Sequence, residues 1–345
     1  MVSMKFLTVC CAILTLAGSG AAQRVKDPIV VLFIVDGIDR NTALTAAGYG
    51  ANTLAGLLQE GVTVERFYCT SPAPRMQLPD GSLPWGTATS ANVAMHTGSH
   101  LFESRKMDDI FLSARRAGIV SVFAGGAANY SAFDTAGHLY CGNLSDEEVV
   151  ERGLQHFRKN GARLIRLHLQ RIRNSWKGPG DTRNPKSAYI QYLINSVDPL
   201  LAKLMTALQK AGVWERTYLV LGSDHGMGQT SSSDHQPSVL SSWQGFLAIR
   251  GPGVKRGAKI AYAESPDVAV MANYFLGLPP LKGHLEEKVP GYLRRPTGTL
   301  LKNIFEGSPI TIEHPRLIER YLASGLPASD RYEEYRAGML KLLPQ

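Results

Sequence analysis

Two apolar runs that each end in an acid constrain this chain most. In DPIVVLFIVD (27–36) six residues are β-branched or aromatic and the apolar run is unbroken, which is how a strand covered on both faces reads. It stops at Asp36-Gly37. The second run, Tyr218–Leu221 of YLVLGSDHGMG (218–228), passes through Gly222-Ser223 and then sets Asp224 beside His225. Taken singly, each acid reads as a turn or cap residue. Two such ends in one parallel sheet read instead as a shared site, because strand ends gather along one sheet edge.

The segments between these runs alternate in the way a parallel sheet requires. Asn52–Gln59 reads as a helix and Val62–Tyr68 as a strand. Helix Met107–Ala117, strand Ile119–Ala124, helix Asp146–Asn160 and strand Leu164–Leu169 follow. Ala188–Ala211 is a long amphipathic helix whose stripe includes Ile190, Leu193, Val197, Leu201, Leu204 and Leu208. Gln244–Ile249 reads as a strand and Asp267–Leu276 as a helix. There is no internal repeat and no disordered linker. The expectation is an α/β fold: a three-layer αβα sandwich with a mostly parallel central sheet, one domain over 23–345, and a C-terminal extension from about 281 whose pattern is harder to read.

The N-terminus reads as a separate element. Lys5 precedes the apolar segment Phe6–Ala17, and small residues from Gly18 to Ala22 lead to Gln23. That is a secretory signal pattern with cleavage near Ala22, so residues 1–22 are expected to be removed and the protein exported, periplasmic or secreted. No other apolar run approaches the ~18 residues of a membrane span, so no transmembrane segment is expected in the mature chain. Cys10 and Cys11 fall within the signal. Cys69 and Cys141 remain, and an exported chain could pair them or keep two free thiols. The formal net charge is +8, with basic residues concentrated over 152–173 and at Arg294-Arg295. This would suit anionic substrates or envelope surfaces, but without the motifs of a nucleic-acid module a solvated surface is the plainer reading. Oligomeric state is not readable.

A Pro-rich loop, Ser71–Trp85, runs into GTATSANVAMHTG (86–98). Small hydroxyl residues ahead of Ala, Val and Met at helical spacing mark a helix N-terminus. A hydroxyl there is either a plain N-cap or a nucleophile set in the positive end of the helix dipole, suited to an anionic ester.

In order along the chain, several of these pieces resemble the alkaline phosphatase superfamily, which includes sulfatases and nucleotide pyrophosphatase/phosphodiesterases. The resemblance rests on IVDG (34–37), Thr97-Gly98 after the hydroxyl-led helix, and SDHGM (223–227). His235, FLAIRGPGVKRG (246–257) and PDVAVMANYFLGLP (266–279) support it. It covers roughly residues 28–280. It implies an alkaline phosphatase-like fold and a phosphodiesterase-like hydrolase of phosphate or sulfate esters, acting on a small anionic ester. It also implies one or two divalent metal ions: zinc, with calcium or manganese as alternatives. Asp36, Asp224 and His225 would form one metal site, and His235 matches the histidine given to a second. The sulfatase pattern, Cys or Ser followed by x-Pro-x-Arg, is absent around Thr87.

Two departures stand out. The family's nucleophile lies nine residues before the Thr of Thr97-Gly98, which is Ala88 here, whereas counting forward from Pro84 reaches Thr87. Thr87 is therefore the expected nucleophile, with Thr89 behind it. Two-metal members also carry Asp-x-x-x-His after the strand placed at Leu164–Leu169, where this chain has Gln170 and Asn174, both neutral amides. Arg171 and Arg173 beside them would put positive charge where a second metal stands. His168 is a candidate substitute ligand, but mid-strand it is expected to point into the core.

Overall fold

The computed structural model describes residues 25–70, 90–101, 107–127, 139–228, 236–286, 289–308, 310–327 and 332–343. The expected signal segment (1–22), the expected Pro-rich loop (71–85), Thr87, Thr89 and His235 lie outside them. In chain order the strands are β1 (Ile29–Val35), β2 (Val62–Val64), β3 (Phe67–Tyr68), β4 (Ser121–Gly125), β5 (Leu139–Cys141), β6 (Leu164–Leu169), β7 (Thr217–Gly222), β8 (Gln244–Gly245), β9 (Leu247–Arg250), β10 (Ala258–Ile260) and β11 (Ala263–Glu264). The helices are α1 (Arg40–Gly48), α2 (Asn52–Glu60), α3 (Ser90–Thr97), α4 (Ile110–Arg116), α5 (Asp146–Asn160), α6 (Ala188–Tyr192), α7 (Asp198–Lys210), α8 (Leu240–Trp243), α9 (Ser265–Phe275), α10 (Leu317–Ala323) and α11 (Tyr332–Leu340).

Eight strands form the central sheet in the order β10-β2-β9-β7-β1-β6-β4-β5. β1 sits inside it, parallel to both β6 and β7. β9 is antiparallel to β7 and to β2, so the sheet is mostly but not wholly parallel. A small sheet, β11-β3-β8, lies beside it. Period-two alternation along β1 feeds two cores. Val30, Leu32 and Ile34 pack with α3, α4, α9 and the C-terminal helices, while Val31, Phe33 and Val35 pack with α1, α2, α5 and α7. The expected three layers are present.

Several boundaries differ from the sequence reading, each for a local reason. Val62–Tyr68 is two short strands in different sheets, interrupted at Glu65-Arg66, where Arg66 turns out to pair with Glu319. Gln244–Ile249 likewise divides at Phe246. The helix expected from Met107 starts only at Ile110, because the Asp109 carboxylate accepts the backbone N–H groups of Phe111 and Leu112, each at 2.8 Å, and caps it there. The long helix over 188–211 contains a wider π turn at Leu193–Val197. Pro199 follows two residues after its end, and a proline ring collides with the carbonyl four residues back in a regular helix; the wider turn relieves it. Cys69 and Cys141 are free thiols, the first buried and the second half-buried. Among the described residues no helix is long and apolar enough to cross a membrane.

The C-terminal stretch joins the core through Leu301, Ile304, Ile318, Tyr335 and Met339. Two buried carboxylates at the start of α9 fasten it. Asp267 accepts from Thr299 N at 2.6 Å and lies 2.7 Å from His314 Nε2, and Glu264 accepts from Ile318 N at 2.8 Å. Burial disfavours a charged His314, but the hydrogen bond and charge of Asp267 outweigh it and raise the imidazole pKa above 6.5. The stabilisation is therefore complete below the ordinary histidine value and fades as pH rises through the raised one. His314→Gln should cost on the order of 1–2 kcal/mol at pH 6, with the gap to wild type narrowing towards pH 9 in urea unfolding. A gap independent of pH would refute this account of the His314–Asp267 pair.

Candidate metal centre

The register of β1 and β7 places the site. Ile34 pairs with Gly222, so Asp36 and Asp224 leave the sheet together at one edge. The turns beyond them are tied to each other. Ser223 Oγ donates to the Ile38 carbonyl at 2.6 Å and accepts from Phe246 N at 2.9 Å. Tyr189 OH donates to the Gly37 carbonyl at 2.6 Å. Gly37 has φ +71°, and a Cβ there would run into Met227 Sδ. Gly226 is needed for space: a Cβ would strike the carbonyl oxygens of Ser241 and Gln244.

Asp36, Asp224 and His225 are all buried, and each offers one ligand atom such that all lie within 4.8 Å of one another. His225 Nδ1 is 2.7 Å from the Gly226 carbonyl, which can only accept, so the proton sits on Nδ1. Nε2 then carries a lone pair, 3.8 Å from Asp36 Oδ1 and 3.7 Å from Asp224 Oδ2. Two carboxylates and an imidazole lone pair facing one point repel each other unless a cation lies between them. This donor set fits a divalent metal, and nitrogen with carboxylate oxygen suits zinc. Asp224 is held for that role. Its Oδ1 faces the N–H groups of Gly37 (3.4 Å) and His225 (3.1 Å), and its Oδ2 accepts from Asn92 Nδ2 at 2.8 Å.

His168 combines the two placements its sequence position allowed. It is buried, but it faces the carboxylates, with Nε2 3.6 Å from Asp224 Oδ2 and 4.0 Å from Asp36 Oδ2. Burial, with lesser effects of nearby charges, pushes its pKa down to about 3, so the ring is neutral. Arg173 also reaches the cluster, its Nη1 3.9 Å from Asp36 Oδ2. The turn carrying it is anchored by buried Asp146, which accepts from the backbone of Gln170 (2.9 Å) and Arg171 (3.3 Å) and from Tyr192 OH (3.0 Å). Arg171 itself is exposed.

Comparison with known proteins fits this geometry. The family model described as type I phosphodiesterase/nucleotide pyrophosphatase matches residues 123–265, a span that includes Asp224 and His225. Murine ectonucleotide pyrophosphatase/phosphodiesterase 5, inactive and in complex with AMP, superposes with a TM-score of 0.52 at 15% identity, covering 74% of this chain and 96% of that one. The chain has an alkaline phosphatase-like fold. A phosphonate monoester hydrolase of Agrobacterium radiobacter aligns with a TM-score of 0.53 and 15% identity over 75% of each chain. The protein BT4656, in complex with its substrate D-glucosamine-2-N,6-O-disulfate, aligns with a TM-score of 0.56 and 13% identity, covering 82% of this chain and 81% of the other. No curated protein matches the chain by sequence.

Around Asp36 the two sides of the cluster differ. On the Asp224–His225 side the described groups converge. On the β6 side, Asn174 is exposed and Gln170 is held through its backbone, and His168 and Arg173 are the side chains that approach Asp36. Sequence reasoning missed Asn92, His96 and Arg166, which lie buried behind Asp224. A signal was available. Arg166 and His168 stand two apart in an otherwise apolar strand and so share one face.

Proposed function

We propose that this protein is an exported, metal-dependent hydrolase of phosphate esters, phosphodiesterase-like, with sulfate esters as the alternative substrate class. The observation that carries the reading is the convergence of two buried carboxylates and the His225 lone pair on one point. Asp36, Asp224 and His225 would hold one divalent ion, zinc by donor type. When bound, such an ion supplies charge stabilisation to developing oxyanions and lowers the pKa of an adjacent hydroxyl. Arg173, beside Asp36, would contribute a fixed guanidinium that accepts an anionic ester by paired hydrogen bonds.

The attacking group is assigned to Thr87 or Thr89. Thr89 directly precedes Ser90, the first residue of α3, and Asn92 of the same helix bonds Asp224. The threonine oxygen would bond phosphorus as the ester P–O bond breaks and the alcohol leaves; water then cleaves the threonine ester. Phe6–Ala17 and the small residues before Gln23 support export.

The deciding experiment incubates pure protein with zinc, manganese or calcium and a panel of chromogenic phosphate mono- and diesters and sulfate esters. Chelator-sensitive turnover with one metal ion per chain is expected. If the chain turns over none of the panel and binds no metal while staying folded, the hydrolase reading fails in favour of a binder of an anionic ligand. Product analysis with an added alcohol acceptor separates hydrolysis from phosphoryl transfer.

A further inference from the structure

Behind Asp224 a strongly basic side chain is enclosed. Arg166 lies on β6 and is fully buried. Its planar head is used as a fork. Nη1 bonds His96 Nε2, and Nη2 bonds Asn92 Oδ1 and approaches His168 Nδ1 at 3.4 Å. The guanidinium also lies over the Phe123 ring, 4.8 Å from its centre. A guanidinium can only donate, so each of those three atoms must accept.

The consequences run outward to the cluster. Asn92 spends its oxygen on Arg166, which turns its NH2 towards Asp224 Oδ2, at 2.8 Å. His168 spends the Nδ1 lone pair on Arg166, which puts its proton on Nε2, the atom facing Asp224 and Asp36. His168 and His225 therefore carry their protons on opposite ring nitrogens. One offers a lone pair to the centre and the other an N–H.

We propose that Arg166 is the positioning residue of this centre: its buried guanidinium fixes Asn92 and His168 as N–H groups directed at Asp224, and so keeps His168 out of the ligand set. The inference rests on the metal reading above, but the arrangement of protons it requires exists without metal. Outer partners that orient ligands are worth about 10–100-fold in metal affinity when removed. Arg166 also carries a charge that by itself opposes cation binding, so the informative substitution keeps the charge. Arg166→Lys leaves a point charge in place of a three-way planar fork. Asn92→Ala leaves Arg166 in place and cuts the link to Asp224.

Two measurements test this. In metal-free wild-type protein, long-range nitrogen–proton NMR of the imidazoles, assigned by loss of a signal in His168→Gln, should show His168 protonated on Nε2 and His225 on Nδ1. A His168 proton on Nδ1 would overturn the proposal. Cobalt(II) titration, read by its visible spectrum, should show about 10–100-fold weaker binding in both Arg166→Lys and Asn92→Ala, with altered bands. Affinities within twofold of wild type in both would overturn it too, and Asn92→Ala still decides if the lysine variant fails to fold. If wild-type protein binds no cobalt, the metal reading falls, and the imidazole spectrum alone decides the Arg166 assignment.

Discussion

Asp224→Ala is expected to abolish ester turnover and metal retention together, with kcat/KM falling by at least about a thousandfold. Asp224 is where the described polar groups meet: backbone N–H groups at Oδ1, Asn92 and His168 at Oδ2, and Asp36 and His225 opposite. Removing it takes away one of three convergent acceptors, and with it the oxygen that accepts from Asn92 and faces His168. The milder Asp224→Asn keeps the shape and loses the charge, and it should be almost as inactive. Its stability should move the other way. Without an ion, two buried carboxylates face each other and a lone pair, so metal-free Asp224→Asn should unfold no more easily than metal-free wild type. Turnover above a few per cent in either variant, with metal still bound, would remove Asp224 from the centre.

The second large effect belongs to Arg173. If its guanidinium stabilises charge that develops on the ester oxygens, Arg173→Met should lower kcat by about 10²–10³-fold, while Arg173→Lys retains part of the rate. A group acting mainly in the transition state lowers kcat and kcat/KM together and leaves KM nearly unchanged. Metal content should be unaffected, because Arg173 is a neighbour of Asp36 and not a donor to a cation. A loss confined to KM would make Arg173 a ground-state binding group, and a rate within threefold of wild type would dismiss it.

How far the sequence could be read depended on whether a feature was local or lay between distant segments. β1 and β7 were legible because a buried strand needs an unbroken apolar run, and Asp36 and Asp224 followed from where those runs stop. The fold class followed from the alternation of strands and helices. The π turn at Leu193–Val197 was not legible, since the same apolar stripe serves a regular helix and only Pro199 hinted otherwise. The Asp109 cap moved a helix start by three residues in the same quiet way. His168 could be read from sequence as a core residue or a substitute ligand, because a histidine inside an apolar strand usually belongs to the core. It is in the core here, but on the face shared with Arg166, and its direction is set by an arginine and an asparagine from different elements. The C-terminal stretch had no legible pattern because its order comes from two carboxylates at the head of α9. Thr87, Thr89 and His235 remain assignments from sequence.

Asp36 and Asp224 are neighbours across one strand pair, yet Gly37 and Asp224 are separated by 187 positions of chain. Half of the binding point is thus made early in synthesis and the other half late. No N-terminal fragment can hold the ion, and closing so long a loop is among the slower steps of folding. On the proposed metal reading, the cation would then be selected by the surroundings in which the finished chain folds. If the chain is exported unfolded, in line with the export proposed above, those surroundings would lie outside the cell's metal-buffered interior. Which ion occupies the centre is then a property of location as much as of ligands.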